Sequence, residues 1–406
     1  MKKKRNKEED LIISYLNKIK LSPIKSINQF WNELYYKHDK SIVDELQKIV
    51  NARADRRTYG DLYEYKNQTL DLSLNFSRYS TDLYRKYFDW FIKINCETPR
   101  RILDIGCDNG IITCFYALLF PTCNVVGIDI SENSIKCAEE LKSKLGLSNV
   151  EFKMARIQDI NQIFNDDNFD MIASVRTLHE AVGLPEAPKH IWAMEDLEKL
   201  EQKEFENNEL KKTLKDIRDR LTPDGKFISW ERIYNEDSYL YLRELENAGL
   251  YLKPELSKSI KFHEVGDEQS MPVIVAETED YHTNLVEEVL RIFAGKDVES
   301  ISINDSLKDE AAELSFNRCL GKTLLSGFQI DYVKENGNKL RSELWKFDFA
   351  ILLYQYSNVG YRLLNVYHED LASKILEKVE EMKNENLKAG NIVKSYNSLE
   401  EKESLR

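Results

Sequence analysis

Residues 101–111 read RILDIGCDNGI, and residues 124–131 read NVVGIDIS. Each is a short apolar run that ends in small and acidic residues. In the first, Leu103-Asp104-Ile105 leads into Gly106-Cys107-Asp108-Asn109-Gly110, and a helical pattern opens at Ile111. A glycine at a strand end allows a tight turn and brings the backbone close to a ligand with no Cβ in the way. The amides at the start of the next helix offer donors to an anionic group. The second run ends on Asp129, and an acid at that strand tip accepts hydrogen bonds from the hydroxyls of a ribose. The spacing Gly106-x-x-x-Gly110, with Asp104 inside the strand, is not the G-x-G-x-x-G order of dinucleotide dehydrogenases.

Around this pair the chain alternates short apolar runs with helical stretches, the pattern of βαβ units on a parallel sheet. The runs are 101–106, 124–130, 150–155, 169–175 and 226–231, followed by 258–264 and 271–277 as a hairpin-like final pair. This predicts an α/β fold with a seven-stranded sheet containing one antiparallel strand. The charged stretch 194–221 carries apolar residues at heptad-like spacing and reads as one long helix. Upstream, residues 1–95 repeat apolar positions every three or four residues, as in Ile42, Leu46, Ile49 and Val50. The segment 56–78 is less regular and reads as a hinge or lid. Beyond Thr278, alternating segments at 328–335, 339–347, 349–356 and 361–367 predict a small antiparallel sheet, with an amphipathic helix near 369–388. The expected division is a helical N-terminal extension over 1–75, an α/β domain over 76–278, an α+β accessory domain over 279–390 and a frayed, disordered tail over 391–406. Aromatic residues on the C-terminal strands, among them Trp345, Tyr354 and Tyr356, are expected to form a core or a homo-oligomer interface.

The runs RILDIGCDNGI, VVGIDIS, FDMIASVRTLHE and LTPDGKFISWER resemble, in order and spacing, the motif series of class I S-adenosylmethionine-dependent methyltransferases. The resemblance covers about half of the chain. It implies a Rossmann-like fold with S-adenosyl-L-methionine as cofactor. Asp104, Gly106, Cys107, Asp108 and Gly110 would surround the methionine moiety, and Asp129 would hold the ribose. Ile130, Ile157 and Gln158 would enclose the adenine, and Ser174 would complete the site at the end of the fourth strand. Two positions depart from the pattern. Arg156 stands where many relatives carry an acid toward the adenine amine, leaving Asp159 or a main-chain group for that contact. Asp108 replaces a common glycine.

The acceptor is expected beside Ser174-Val175-Arg176-Thr177-Leu178-His179-Glu180. No Pro-Pro-aromatic motif for an exocyclic base amine follows the fourth strand, and no Pro-Cys nucleophile for cytosine C5. The TLHE run is reminiscent of small-molecule methyltransferases. His179 has the side-chain type for general-base catalysis, with Glu180 beside it as a second candidate. Each has a structural alternative: a pocket wall for His179, a cap for Glu180. Arg176 reads first as the partner of a nearby acid. Tyr79, Tyr84, Glu186, His190 and Trp192 are further pocket candidates by position. The expected activity is methyl transfer to O or N of a small molecule. The alternatives are a protein or RNA methyltransferase and a cofactor-binding module without turnover.

Composition sets the remaining bounds. Asp and Glu number 70 against 58 Lys and Arg, a net charge of −12, so a phosphate-neutralising surface is not indicated and nucleic acid is not an expected partner. The six cysteines form no CxxC pair and have no histidine cluster beside them, so no metal site is expected. No apolar run approaches the ~18 residues of a membrane span, and the reading is a cytoplasmic protein with reduced thiols.

Overall fold

A computed structural model describes residues 2–54, 61–94, 98–165, 167–185, 207–233, 235–281, 283–294 and 301–405. His190, Trp192, Glu186 and Cys96, and the first part of the helix expected over 194–221, lie outside these residues. By its internal contacts the chain falls into two units: Met1–Leu184 with Asn207–Ile233 and Glu244–Tyr281, and the remainder.

In the first unit the strands are β1 (Arg101–Ile105), β2 (Asn124–Asp129), β3 (Val150–Met154), β4 (Phe169–Val175), β5 (Leu221–Trp230), β6 (Tyr251–Leu252), β7 (Lys258–Glu264) and β8 (Asp267–Glu277). They form one sheet in the order β3-β2-β1-β4-β5-β8-β6, with β7 also on β8. Strands β1 to β5 pair in parallel, and β8 runs antiparallel to β5, β6 and β7. The sheet is therefore eight-stranded, one more than expected. The extra member is the two-residue β6, which shares an edge of β8 with β7. The single antiparallel strand is as expected. Both faces are covered, which is why the strands read as continuous apolar runs: Ile102, Leu103, Val125, Val126, Ile172 and Ala173 are all buried.

The helices that build the site are α1 (Lys2–Lys18), α2 (Ile27–Lys37), α3 (Lys40–Ala54), α4 (Leu62–Lys66), α5 (Leu70–Ser77), α6 (Thr81–Ile94), α7 (Ile111–Leu119) and α8 (Glu132–Leu145). The hinge expected over 56–78 is instead, where described, two capped helices. Asp61 accepts from the Tyr63 and Glu64 amides, and Thr69 accepts from the Leu72 amide. An aromatic layer fixes α1 and α6 to the sheet: Tyr87 stacks on Trp230 and Phe88 on Phe115, at ring-centroid distances of 5.3 and 3.8 Å. The Tyr15 hydroxyl reaches the carbonyl of Ile111 at 2.6 Å. Helix Asn208–Asp219 starts where the Asn207 side chain caps the Leu210 amide, and its buried stripe is Leu210, Leu214 and Ile217.

The second unit contains a six-stranded antiparallel sheet: β9 (Ser306–Lys308), β10 (Thr323–Asp331), β11 (Lys339–Phe347), β12 (Ala350–Ser357), β13 (Arg362–His368) and β14 (Ile392–Tyr396), ordered β14-β10-β11-β12-β13-β9. Strands β9 and β14 were not expected. The expected disordered tail is corrected on this point, because 392–396 pair with β10 and Leu399–Glu403 form a helix. Side chains anchor it. The Tyr396 hydroxyl and the Lys402 ammonium meet the buried Glu343 carboxylate at 2.7 and 2.8 Å, and a buried acid requires such partners. Gly327 makes room, since a Cβ there would lie 2.3 Å from the Tyr396 ring. Trp345, Tyr354 and Tyr356 form a core with Phe316.

The turn after β1 ends on a glycine that is both left-handed and tightly packed. Gly110 starts α7 at φ +80, and a Cβ would lie 2.9 Å from both Ala138 Cβ and Phe152 Cζ. Left-handed strain and overpacking act together here, so Gly110→Ala is expected to destabilise the fold by about 2–4 kcal/mol. Chemical denaturation checks this; an unchanged midpoint would contradict the packing described.

Candidate functional site

The tips of β1 and β2 meet through the main chain. The Gly106 and Cys107 amides both donate to the carbonyl of Ile128, at 2.8 and 2.9 Å. Gly106 sits at φ +69, and a Cβ on it would fall 2.1 Å from Thr177 Oγ1. The turns after β1 and β4 can touch only because position 106 has no side chain. Asp108 takes a positive φ of 48, a conformation Asp tolerates better than most residues. That turn directs its amide to Asp129 Oδ2 at 2.9 Å, while the Ser131 amide donates to Oδ1 at 2.8 Å. Each oxygen of Asp129 thus has one main-chain donor and keeps lone-pair capacity for a ligand hydroxyl.

Three carboxylates crowd this end. Burial pushes the Asp104 carboxyl up to about 7, against a single hydroxyl donor from Thr113 at 2.5 Å. Burial, and then the negative charge of Asp108, push Asp129 up to about 6. Asp108 is balanced from the N-terminal helices. The buried Lys66 pairs with its carboxylate, and Asn67 Nδ2 donates to Oδ1 at 2.6 Å. Asn109 Nδ2 donates to Ser73 and Ser77 at 2.7 and 2.9 Å, and Asn67 also bonds Ser73 and Ser134. This buried network ties α4 and α5 to the β1 turn. Burial raises the Tyr63 and Tyr84 hydroxyls well above the ordinary phenol range, so both stay neutral.

The other end is organised by Glu231, the residue after β5, which is fully buried. Its Oε1 accepts from the Ser174 hydroxyl at 2.7 Å and from the Thr177 and Leu178 amides at 3.2 and 3.1 Å. Its Oε2 lies 2.8 Å from His179 Nδ1. A carboxylate only accepts, so Nδ1 carries the proton and Nε2 is the basic nitrogen of neutral His179. Glu180 pairs with Arg53 of α3. Arg176, held at φ +60, pairs with Glu264 at the end of β7.

One cleft of about 1050 Å³ in the first unit lies against these groups, with Glu231 behind its wall. Among the expected residues, Asp104, Gly106, Cys107, Asp108, Asp129, Ile130, Ile157, Gln158, His179 and Glu180 line it, as do Tyr79 and Tyr84. Gly110 and Ser174 do not. Gly110 packs against α8 and β3, and the Ser174 hydroxyl is spent on Glu231. Ile130 is 63% exposed, a bare apolar surface at the β2 tip. Gln158 Nε2 donates to Glu209 at 2.7 Å. Arg156 lines the cleft and is exposed. Sequence reading missed Lys66, Glu231, Glu264, Arg53 and the aromatic wall of Phe30, Trp31, Tyr63 and Phe76. The one available signal was an acid directly after an apolar strand, at Glu231. Among the described residues, no group of His, Cys, Asp and Glu side chains could hold a metal ion.

Residues 98–233 match the model of a family described as a methyltransferase domain. That segment is about a third of the chain, and over it the chain is similar to a methyltransferase domain. An uncharacterized protein of Rickettsia prowazekii is 30% identical over 141 residues, 33% of this chain and 23% of that one. An uncharacterized protein of Synechococcus is 34% identical over 80 residues, 20% of this chain and 19% of that one. The chain thus spans under a quarter of either relative. A solved S-adenosylmethionine-dependent methyltransferase from Aquifex aeolicus has a TM-score of 0.33 and 17% identity, over 46% of this chain and 87% of that one. The resemblance of the β1 and β2 motifs implies S-adenosylmethionine as cofactor. The β1–β2 end of the cleft fits it on three counts: a carboxylate with lone pairs to spare, a main chain open at Gly106, and the apolar face of Ile130. No described helix is long and apolar enough to cross a membrane.

The raised carboxyls have a measurable consequence. Asp104 binds a proton more tightly folded than unfolded, its ordinary value being 3.8. Its stabilising contribution is complete below that value and is lost as pH rises through about 7. Without ligand, thermal stability is expected to fall between about pH 4 and 7. Asp104→Asn should flatten part of that slope. Parallel melting curves for the two proteins across this range would contradict the burial of an uncompensated acid.

Proposed function

We propose that this protein methylates an oxygen or nitrogen of a small molecule, with S-adenosylmethionine as donor. The observation that carries the reading is the cleft. At about 1050 Å³ it lies at the upper end of small-molecule sites, which run to about 1,000 Å³. Its mouth is walled by aromatic side chains of the N-terminal helices. That volume suits a cofactor with a compact acceptor beside it. The net charge of −12 gives no support to a nucleic-acid acceptor.

In this reading Asp129 receives the ribose hydroxyls, and Ile130 with Ile157 and Gln158 flanks the adenine. Asp104, Gly106, Cys107 and Asp108 surround the amino-acid end. Gly110 and Ser174 act indirectly, by holding the two turns in place. When bound, the cofactor supplies a methyl group on a positively charged sulfur, open to in-line attack. The chain aligns the acceptor with it and removes the acceptor's proton. His179 does the second through Nε2. Glu231 is the positioning residue: it fixes the tautomer through Nδ1 and offsets the positive charge that His179 takes up. Glu180 is held by Arg53 and orients the mouth of the site.

The direct test incubates the protein with methyl-labelled cofactor and cell extract separated into metabolites, RNA and protein. Label is expected among the metabolites; label confined to macromolecules would overturn the acceptor class. His179→Ala should lower kcat by about 10²–10⁴-fold with cofactor affinity unchanged by calorimetry. Glu231→Gln should also lower kcat, again with cofactor affinity retained. Undiminished turnover of His179→Ala from about pH 6 to 9 would remove it as the base.

A further inference from the structure

At the acceptor end of the cleft, two guanidinium groups share one carboxylate. Arg176 donates to Glu264 Oε1, which also accepts from the Ser80 hydroxyl at 3.0 Å. Arg232 stands on the other side, its Nη2 4.0 Å from Glu264 Oε2. That separation is beyond a hydrogen bond, and the Arg232 side chain is 47% exposed. Glu264 is nearly buried and already holds two closer donors, so Arg232 keeps its fork of N–H groups for something else. All three residues line the same cleft as His179.

The other acids of that end are committed. Glu180 is paired with Arg53. Glu231 is surrounded by His179, the Ser174 hydroxyl and main-chain amides. Asp61 caps the first turn of α4, and Glu209 accepts from Gln158. Of the three arginines, Arg53 and Arg176 each hold an acid at hydrogen-bonding distance and Arg232 does not. Arg176 is also held in a left-handed conformation, φ +60, that a long side chain avoids. Such strain persists only where the surroundings over-determine it, and here the next amides are clamped to Glu231. Trp31 and Tyr79 line the same cleft, each packed on Phe30 at 5.0 and 5.5 Å between ring centroids.

We propose that the acceptor carries an oxyanion, a carboxylate or a phosphate, bound by Arg232 and Arg176, and a flat apolar body that rests against Trp31 and Tyr79. The proposal rests on the small-molecule reading above and narrows it. A planar guanidinium fork matches either oxyanion through two parallel hydrogen bonds. The anion thereby anchors the far end of the acceptor and leaves the methylated atom to face His179.

The test uses the full chain, methyl-labelled cofactor and the metabolite fraction of an extract, passed over an anion exchanger before the reaction. Acceptor activity is expected in the retained pool. Treating that pool with phosphatase distinguishes the two oxyanions, because only a phosphate-bearing acceptor would be lost. With the retained pool as substrate, Arg232→Gln should raise KM about tenfold or more, with kcat less affected, and Arg232→Lys should recover part of the loss. An unchanged melting temperature and an unchanged affinity for S-adenosylhomocysteine would exclude misfolding as the cause. Acceptor activity in the unretained pool, or an Arg232→Gln enzyme with wild-type KM, overturns the proposal while leaving a small-molecule methyltransferase standing. Label found only in RNA or protein overturns both.

Discussion

A carboxylate taken out of water costs several kcal/mol unless donors surround it, and Glu231 is such a group, with no exposed surface. The turn after β4 supplies its donors: a hydroxyl from Ser174, amides from Thr177 and Leu178, and the imidazole of His179. Dependence runs both ways. The acid needs this turn to be buried, and the turn has this conformation because the acid gathers its amides. Arg176 at positive φ, Thr177 against Gly106 and the orientation of His179 all follow from one group at the tip of β5. The site is therefore held by a residue that does not itself line the cleft.

The donor end has the opposite character. Asp104, Asp108 and Asp129 repel one another, and the burial that raises two of them removes the water that would screen the third. Lys66 answers Asp108, and main-chain amides answer Asp129. A cationic ligand group entering there relieves the remaining imbalance. The N-terminal helices are thus part of the charge balance of the site, and Asn67, Ser73, Asn109 and Ser77 hold them to the β1 turn without a break in hydrogen bonding.

How much of this was legible in the sequence follows from how far apart the partners lie. The β1 and β2 tips are each contiguous in sequence, so Gly106, Asp108 and Asp129 announced themselves by spacing. Lys66 and Asp108 are 42 residues apart, and His179 and Glu231 are 52 apart. No local period encodes such pairs; the fold alone brings them together. Strand β14, IVKSY, escaped notice for a related reason. It is short, with Lys394 and Ser395 breaking its apolar run, and its order comes from pairing with β10 and from Tyr396 and Lys402 reaching Glu343. Gly110 was expected beside the methionine moiety; it starts α7 and does not line the cleft. Its tight packing against Ala138 and Phe152 could not be read, because those neighbours lie on α8 and β3.

The lining of the cleft is written in different parts of the chain. Main-chain atoms and acids of the sheet line it together with Phe30, Trp31, Tyr63 and Phe76, all encoded before β1. Mutation in the N-terminal quarter can then reshape the aromatic wall of the cleft while the strand tips stay as they are. Lys66 and Asn67 mark the boundary of that freedom, since both bear on Asp108. Outside them, the helices are the part of this protein in which selection can reshape the cleft at the least cost to the strand tips.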